Sequence, residues 1–531
     1  MKSWDYIIVG AGSSGCTLAN RLTESGKNKV LIVEAGGSDK HLAVSVPAGV
    51  GIFSKQAAKM DWHYTSKPDP TRNGVAEVWP RGKVIGGSSS VNGTVYVRGN
   101  SDDFDRWEKM GNYGWSAKDV LPAFKAIESS DQTGQLRGKD GFLKVRTVKS
   151  CHPTTDAFVA ACENNGIARN SDYNGEIQEG VSYVQLNQDG RFRCSAADAF
   201  LKPTLRRPNA KILKNALVHK ILIKDGKAVG VRIEQKNRIQ DLSATRIIIC
   251  AGAINSPQLL MLSGIGDKSE LAQHGIPIVV DRSSVGKNLI EHQQISLVYQ
   301  MKSPTFSPTE GPLHQLGLLF RYIFIGQGPL SNICEAISFF KSSSSKNKPD
   351  LQVCFSPWCA DVSGSWFDSG KTRFIHRGVW VPLNNSYPLS SGKISLADNN
   401  PKTHPVIACQ FFEREEDIET LLNGIKKVRK IMMASPMAEL VDTEIKPGKE
   451  VNSDQSIRKY IRNNASINAH PAGTCRMGVD ESAVVTPDLK VRGVDNLWVA
   501  DASIMPDHIS GNINAACMMI GEKLGRELIK Q

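Results

Sequence analysis

The chain has 531 residues, 40% of them apolar and 22% charged, with a formal net charge of +12. That length exceeds one ordinary hydrophobic core, so two or more domains are expected, and the apolar content excludes a disordered or fibrous protein. The surplus of Lys and Arg is dispersed, which argues against a nucleic-acid-binding stripe, and no apolar run reaches the roughly 18 to 20 residues that cross a bilayer.

In chain order, Met1-Lys-Ser-Trp-Asp runs straight into an apolar strand, with no leader-like stretch before it. Eleven scattered cysteines, none in C-x-x-C, read as free thiols rather than disulfides or metal ligands. Both features lead to the expectation of a cytoplasmic protein. The strand, Tyr6-Ile-Ile-Val9, breaks into Gly10-Ala-Gly12-Ser13-Ser14-Gly15 and resumes as a predicted helix from Ser13 to about Thr23. In G-x-G-x-x-G the first Gly permits a tight turn and the second lets backbone approach a pyrophosphate. The third lets helix and strand pack closely. A second strand, Val30-Leu-Ile-Val33, ends in Glu34, whose carboxylate suits the adenosine ribose hydroxyls. An acid there disfavours a 2′-phosphate, so the nucleotide is FAD or NAD rather than NADP.

Further on, Arg81-Gly-Lys-Val84-Ile-Gly86-Gly-Ser88-Ser-Ser-Val91-Asn92-Gly93 offers backbone N–H groups and hydroxyls with little bulk, a wrapping for diphosphate or a flat ring. The apolar strand Arg246-Ile-Ile-Ile-Cys250 runs into Ala251-Gly-Ala-Ile-Asn-Ser-Pro257, with a helix predicted from about Gln258. Residues 296–460 alternate short strand-like and helical stretches, which suits an inserted α+β domain. Within it, Leu316 to Ile325 reads as a buried or lid helix, with peripheral membrane contact at most. Glu413, Glu415, Glu416 and Asp417 open a helix that closes on Lys426-Lys-Val-Arg-Lys430; acid first and base last marks a solvated helix. The last strand, Leu497-Trp-Val-Ala500, ends in Asp501, at the edge where doubly wound sheets bind ligands.

Taken together, the glycine turn, the Gly82 to Asp105 segment and Gly252 to Gly266 resemble the glucose–methanol–choline (GMC) flavin oxidoreductases. So do Val285-Gly-Lys-Asn-Leu289 with His292, and Val499-Ala-Asp-Ala-Ser503. The branch is similar to bacterial alcohol dehydrogenases related to choline dehydrogenase. The resemblance implies an α/β fold: a Rossmann-type FAD-binding domain with a parallel sheet, and an inserted α+β substrate-binding domain with an antiparallel sheet. The expected segments are 1–150, 190–295 and 485–531 for the first, and 151–189 and 296–484 for the second. Gly10, Gly12, Ser13, Ser14, Gly15, Glu34 and Ala35 would hold the ADP half of FAD, with Val218 touching adenine. Arg81, Val84, Gly86, Ser88, Asn92, Gly93, Thr94, Val95, Ala251, Asp501, Ala502, Asn512 and Ile513 would complete the cofactor site. Where choline oxidase carries a histidine joined to FAD, this chain has Val91, so the flavin is expected to be non-covalent.

Alcohol oxidation needs a proton taken from oxygen and a hydride from carbon, the hydride passing to flavin N5. His470, in Asn468-Ala469-His470-Pro-Ala-Gly-Thr474, matches the family's active-site histidine and is the expected base. Asn512, in Ser510-Gly-Asn512-Ile513-Asn514, is expected to orient the hydroxyl. His508 reads as structural. Glu335 and Ala469 are the candidate substrate contacts; an aromatic stands at the second position in choline oxidase, so choline is one possibility among non-cationic, sugar-like and aromatic alcohols. The electron acceptor is open among O2, a quinone and an artificial dye. A monooxygenase or amine oxidase is the competing flavoenzyme reading.

Overall fold

The computed structural model describes residues 4–49, 57–149, 151–326, 328–361 and 373–531. Residues 1–3, on which the reading of the N-terminus partly rests, lie outside them. In chain order, the elements that build the site are β1 (Trp4–Val9), α1 (Ser13–Thr23), β2 (Val30–Val33), β3 (Gly180–Tyr183), β4 (Ala210–Leu213), β5 (Ala216–Lys224), β6 (Lys227–Gln235), β7 (Arg238–Ile249), α2 (Gly252–Leu262), β8 (Gln293–Met301), α3 (Pro312–Phe320), β9 (Ala336–Phe340), β10 (Leu351–Phe355), β11 (Gly378–Asn385), α4 (Glu415–Met432), β12 (Val441–Lys446), β13 (Leu497–Val499) and α5 (Asn514–Leu528).

The first layer is a parallel sheet in the order β4-β2-β1-β7-β13. Ile7 sits opposite Leu31 on one side and Ile247 on the other, and Ile247 opposite Leu497. These strands are apolar end to end because both sheet faces are covered. β7 is longer than the apolar run at 246–250: its N-terminal half pairs antiparallel with β6, which pairs with β5. Helix α1 covers the sheet and packs against α5, so the two chain ends lock together. Gly521 makes this possible; a Cβ there would lie 2.4 Å from the Ser14 carbonyl oxygen.

The second layer is antiparallel, in the order β12-β8-β11-β10-β9-β3. Its two faces follow the period of two. On β8, Ile295, Leu297 and Tyr299 are buried, while Gln294, Ser296 and Val298 line the central cavity. Leu383 of β11 packs so closely under α4 that Gly424 has no room for a Cβ, which would lie 2.6 Å from Leu383 Cδ2. The basic end of α4 is spent on ion pairs, Arg429 with Glu444 and Lys426 with Asp454.

Two expectations need correction. Helix α2 starts at Gly252, not Gln258, so Pro257 lies inside it. Proline removes the N–H that would reach the Ala253 carbonyl; the Thr474 hydroxyl donates to that oxygen instead, at 2.6 Å. Of the two readings of 316–325, buried or lid, burial is overturned: α3 has no buried residue, and of the wide turn Arg321–Ile325 only Tyr322 is, while Leu318 and Leu319 line the cavity. Among the described residues no helix is long and apolar enough to cross a membrane.

Candidate active site

Between the layers lies a cavity of about 1380 Å³, larger than the ~300–1,000 Å³ of a typical small-ligand site. One end is built by the glycine turn. Gly10, at φ +102°, has a backbone only glycine tolerates, and an added Cβ would strike the Cys250 carbonyl at 2.4 Å. At Gly12 a Cβ would meet nothing within 4 Å, so the space above it belongs to the cavity. Helix α1 starts there with no side-chain cap and no acid in its first turn. Its free N–H groups and positive dipole end suit a diphosphate. Gly15 does not line the cavity; a Cβ there would sit 2.0 Å from the Gly10 carbonyl oxygen, so it serves helix–strand packing.

Ser13, Ser14, Glu34, Ala35, Val218 and Ala251 line the same end. Glu34 accepts from Ala11 N–H at 2.8 Å and Gly36 N–H at 2.7 Å, and burial pushes its carboxyl pKa up. Each carboxylate oxygen keeps a second lone pair for a ribose hydroxyl. Asp501 accepts from Gly252 N–H, the Ser256 hydroxyl and Ser503 N–H, tying β13 to the start of α2. Ser88, Asn92, Gly93, Thr94, Val95, Ala502 and Ile513 line the middle of the cavity. Val84 and Gly86 stand behind that wall: Val84 is fully buried, and Gly86 donates to the Ala11 carbonyl at 2.7 Å.

At the other end stand His470 and Asn512. Ala469 adopts φ +60°, a left-handed kink that aims His470 into the cavity. The kink is clamped by Arg81, which donates to the Ala469 carbonyl at 2.6 Å, and by Glu291, which accepts from His470 N–H at 2.8 Å. Burial pushes the Glu291 carboxyl up to about 8. Burial, then the neighbouring His508 and Arg81, hold the His470 pKa well below the ordinary histidine value, so the ring is neutral at pH 7. His508 acts on the backbone, its Nε2 lying 2.9 Å from the His470 carbonyl.

The hydrogen-bond network assigns the protons. His292 Nε2 faces two carbonyls, Ser386 at 3.1 Å and Ile509 at 3.0 Å, and so carries a hydrogen. His292, also held neutral by burial, then presents a bare Nδ1 to His470 Nδ1 at 3.0 Å. His470 must donate from Nδ1, which leaves its Nε2 as a lone pair, 3.1 Å from Asn512 Nδ2. Asn512 Oδ1 accepts from Gln352 Nε2 at 3.1 Å, and Gln352 Oε1 accepts from Asn384 Nδ2 at 2.9 Å. His292, Glu291, Gln352 and Asn384 were not among the site residues expected from sequence. His292 stands in a family motif, but only strand pairing places Gln352 opposite Asn384.

Glu335 does not line the cavity. It is fully buried and accepts from His152 N–H and the Thr155 hydroxyl, both at 2.8 Å. The acids that do line it are Glu34, Glu77 and Asp501, of which Glu77 is paired with Arg72. Phe306, Leu318, Ile333, Trp358 and Trp380 add apolar wall.

Residues 4–294 and 388–521 match the family models described as GMC oxidoreductase. The chain is 40% identical to an alcohol dehydrogenase [acceptor] of Pseudomonas putida, over 99% of this chain and 96% of that one. It is 39% identical to an oxygen-dependent choline dehydrogenase of Rhizobium johnstonii, over 99% and 95%. Its fold superposes on pyridoxine 4-oxidase from Mesorbium loti with a TM-score of 0.90 at 28% identity, covering 100% of both chains. A formate oxidase of Aspergillus oryzae RIB40 shares the fold at 24% identity, with a TM-score of 0.91 over 100% of this chain and 98% of that one. With the open glycine turn and the uncapped start of α1 shaped for its diphosphate, the chain is an FAD-binding enzyme and belongs to the GMC oxidoreductase family.

Proposed function

We propose that this enzyme oxidises an uncharged alcohol with an apolar body to an aldehyde or ketone, with His470 as base and Asn512 holding the alcohol oxygen. The observation that carries this reading is the bare Nε2 of His470, 3.1 Å from an amide donor inside the cavity. An alcohol oxygen that replaces this amide contact donates its O–H to His470 Nε2 and accepts from Asn512 Nδ2. As the proton moves to Nε2, the Asn512 N–H group steadies the negative charge gathering on oxygen. His292 keeps Nδ1 as the donor, so the basic nitrogen is always the one facing substrate. Bound FAD supplies the hydride acceptor. The kinked backbone at Ala469, clamped by Arg81 and Glu291, holds the ring in place.

The wall of the cavity supports the uncharged substrate. A quaternary ammonium group is usually held by aromatic faces and a carboxylate. Aromatic faces are present, but Glu335 is turned to His152 and Thr155, and Glu77 is spent on Arg72. Choline is the second reading, carried by the 39% identical relative. Anaerobic mixing of the yellow enzyme with a panel of alcohols tests both. Apolar primary alcohols are expected to bleach the flavin and choline to leave it oxidised; bleaching by choline alone overturns the assignment. Bleaching only by amines or NADPH would point to another flavoenzyme class. Re-oxidation by air, by a soluble quinone or only by a dye then identifies the acceptor class. The free cysteines fit a reducing compartment such as the cytoplasm.

We also infer non-covalent flavin, because Val91 lines the cavity with no atom able to form the bond. Acid precipitation is expected to leave a white pellet and a yellow supernatant; a washed pellet that stays yellow overturns this.

A further inference from the structure

Helix α3 forms an outer wall of the cavity, and its sequence, Pro-Leu-His-Gln-Leu-Gly-Leu-Leu-Phe, carries no acid, Lys or Arg. Gln315, Leu318 and Leu319 line the cavity. Leu313, Phe320 and Phe324 face solvent, with 84%, 52% and 75% of their surfaces exposed. Leu316, Ile323 and Ile325 are exposed as well. A helix at a water surface ordinarily turns polar side chains outward. Scattered exposed apolar residues need no explanation, but a contiguous patch does.

The patch extends beyond the helix to Leu42 and Phe192, both exposed. Hydrogen bonds hold these segments beside α3. Arg191 donates to the Ile323 carbonyl, and the Tyr322 hydroxyl donates to the Arg191 carbonyl at 3.1 Å. Arg193 donates to the Val44 and Pro47 carbonyls at 2.8 and 2.9 Å. On this face Lys40 is exposed and Arg191 half-buried, Arg193 is buried, the exposed Asp189 stands opposite Phe192 in the hairpin, and the chain as a whole has a net charge of +12. An uncharged helix of exposed Leu and Phe side chains at the rim of a cavity, on a chain of net charge +12, complements an anionic lipid surface.

We propose that this face docks the enzyme on anionic bilayers, with α3 set into the headgroup boundary and the cavity beside it brought to the lipid. The test is flotation of the FAD-loaded enzyme with vesicles of phosphatidylglycerol and phosphatidylcholine, and of phosphatidylcholine alone. The enzyme floats with the anionic vesicles, less with the neutral ones, and less as salt is raised. The triple variant Leu313→Glu, Phe320→Glu, Phe324→Glu keeps its FAD and lowers the bound fraction by more than about tenfold. Three results overturn the proposal: no flotation of the unaltered enzyme, equal flotation of the variant, or a dimer in solution that the variant converts to monomer. None of these readouts uses an alcohol, so docking and the catalytic reading stand or fall separately.

Discussion

His470→Ala lowers turnover by roughly 10²–10⁴ while FAD stays bound, the range for loss of a positioned general base. The imidazole bonds to His292 and Asn512, and the clamps at Ala469 act on backbone, which alanine retains. Flavin content and its spectrum are therefore expected to be unchanged, and the loss to appear in the reductive half-reaction measured by stopped flow. The wild-type pH profile supplies a second readout. Burial favours the neutral ring, so the folded pKa lies below the unfolded one of about 6.5. Activity that needs neutral His470 is therefore held from alkaline pH down through 6.5, and the acid limb lies lower. The same depression costs stability below pH 6.5, where the unfolded chain takes up protons that the buried rings of His292, His470 and His508 refuse. An ordinary histidine limb near 6.5 in kcat/KM that vanishes in the variant, or an unchanged turnover, would sink the assignment.

Gly15→Ala is expected to give protein without flavin. The added methyl would lie 2.0 Å from the Gly10 carbonyl oxygen, in the tight turn, and 3.3 Å from Cys250 Cβ, which is buried in the core. Either α1 moves off the sheet or Gly10 shifts, at a cost of about 1–3 kcal/mol for overpacking. Each movement displaces the helix start from the diphosphate position. The purified variant should be colourless and melt lower than the unaltered enzyme, and added FAD should not raise its melting temperature. Gly12→Ala is the informative contrast. Its methyl meets no protein atom, so that fold survives and only cofactor affinity suffers. A yellow Gly15→Ala protein of unchanged stability would show that the turn has slack the structure does not display.

The β1–α1–β2 unit was legible because its signals are local: an apolar run, a glycine turn, a helix period and an acid after the next strand. His470 and Asn512 were legible through family motifs, although 41 residues lie between them and only the fold brings them to 3.1 Å. Longer-range features were not. Pro257 reads as a boundary unless one knows that Thr474, more than 200 residues away, replaces the missing donor. Glu335 was placed near substrate by analogy, and no neighbour in sequence announces that His152 and Thr155 claim it. The amide chain from Asn384 through Gln352 to Asn512 depends on cross-strand register. Helix α3 was left between burial and a lid: its apolar composition implies burial, and only the fold shows that its place on the rim leaves it exposed.

The interlock of the two chain ends bears on how the enzyme is made. β1 lies in the middle of the parallel sheet, but its neighbour β7 ends at Ile249, and β13 and α5 follow only after residue 496. Ser13 and Ser14 find their partners at Asn514 and Ala500. At about 5–20 residues per second, a ribosome needs on the order of half a minute to two minutes to deliver them. Through that interval the emerging glycine turn lacks its roof, and the apolar face of α1 waits for α5. Cofactor capture is therefore a late event, and the nascent amino-terminal half is the stage at which chaperones have most to shield.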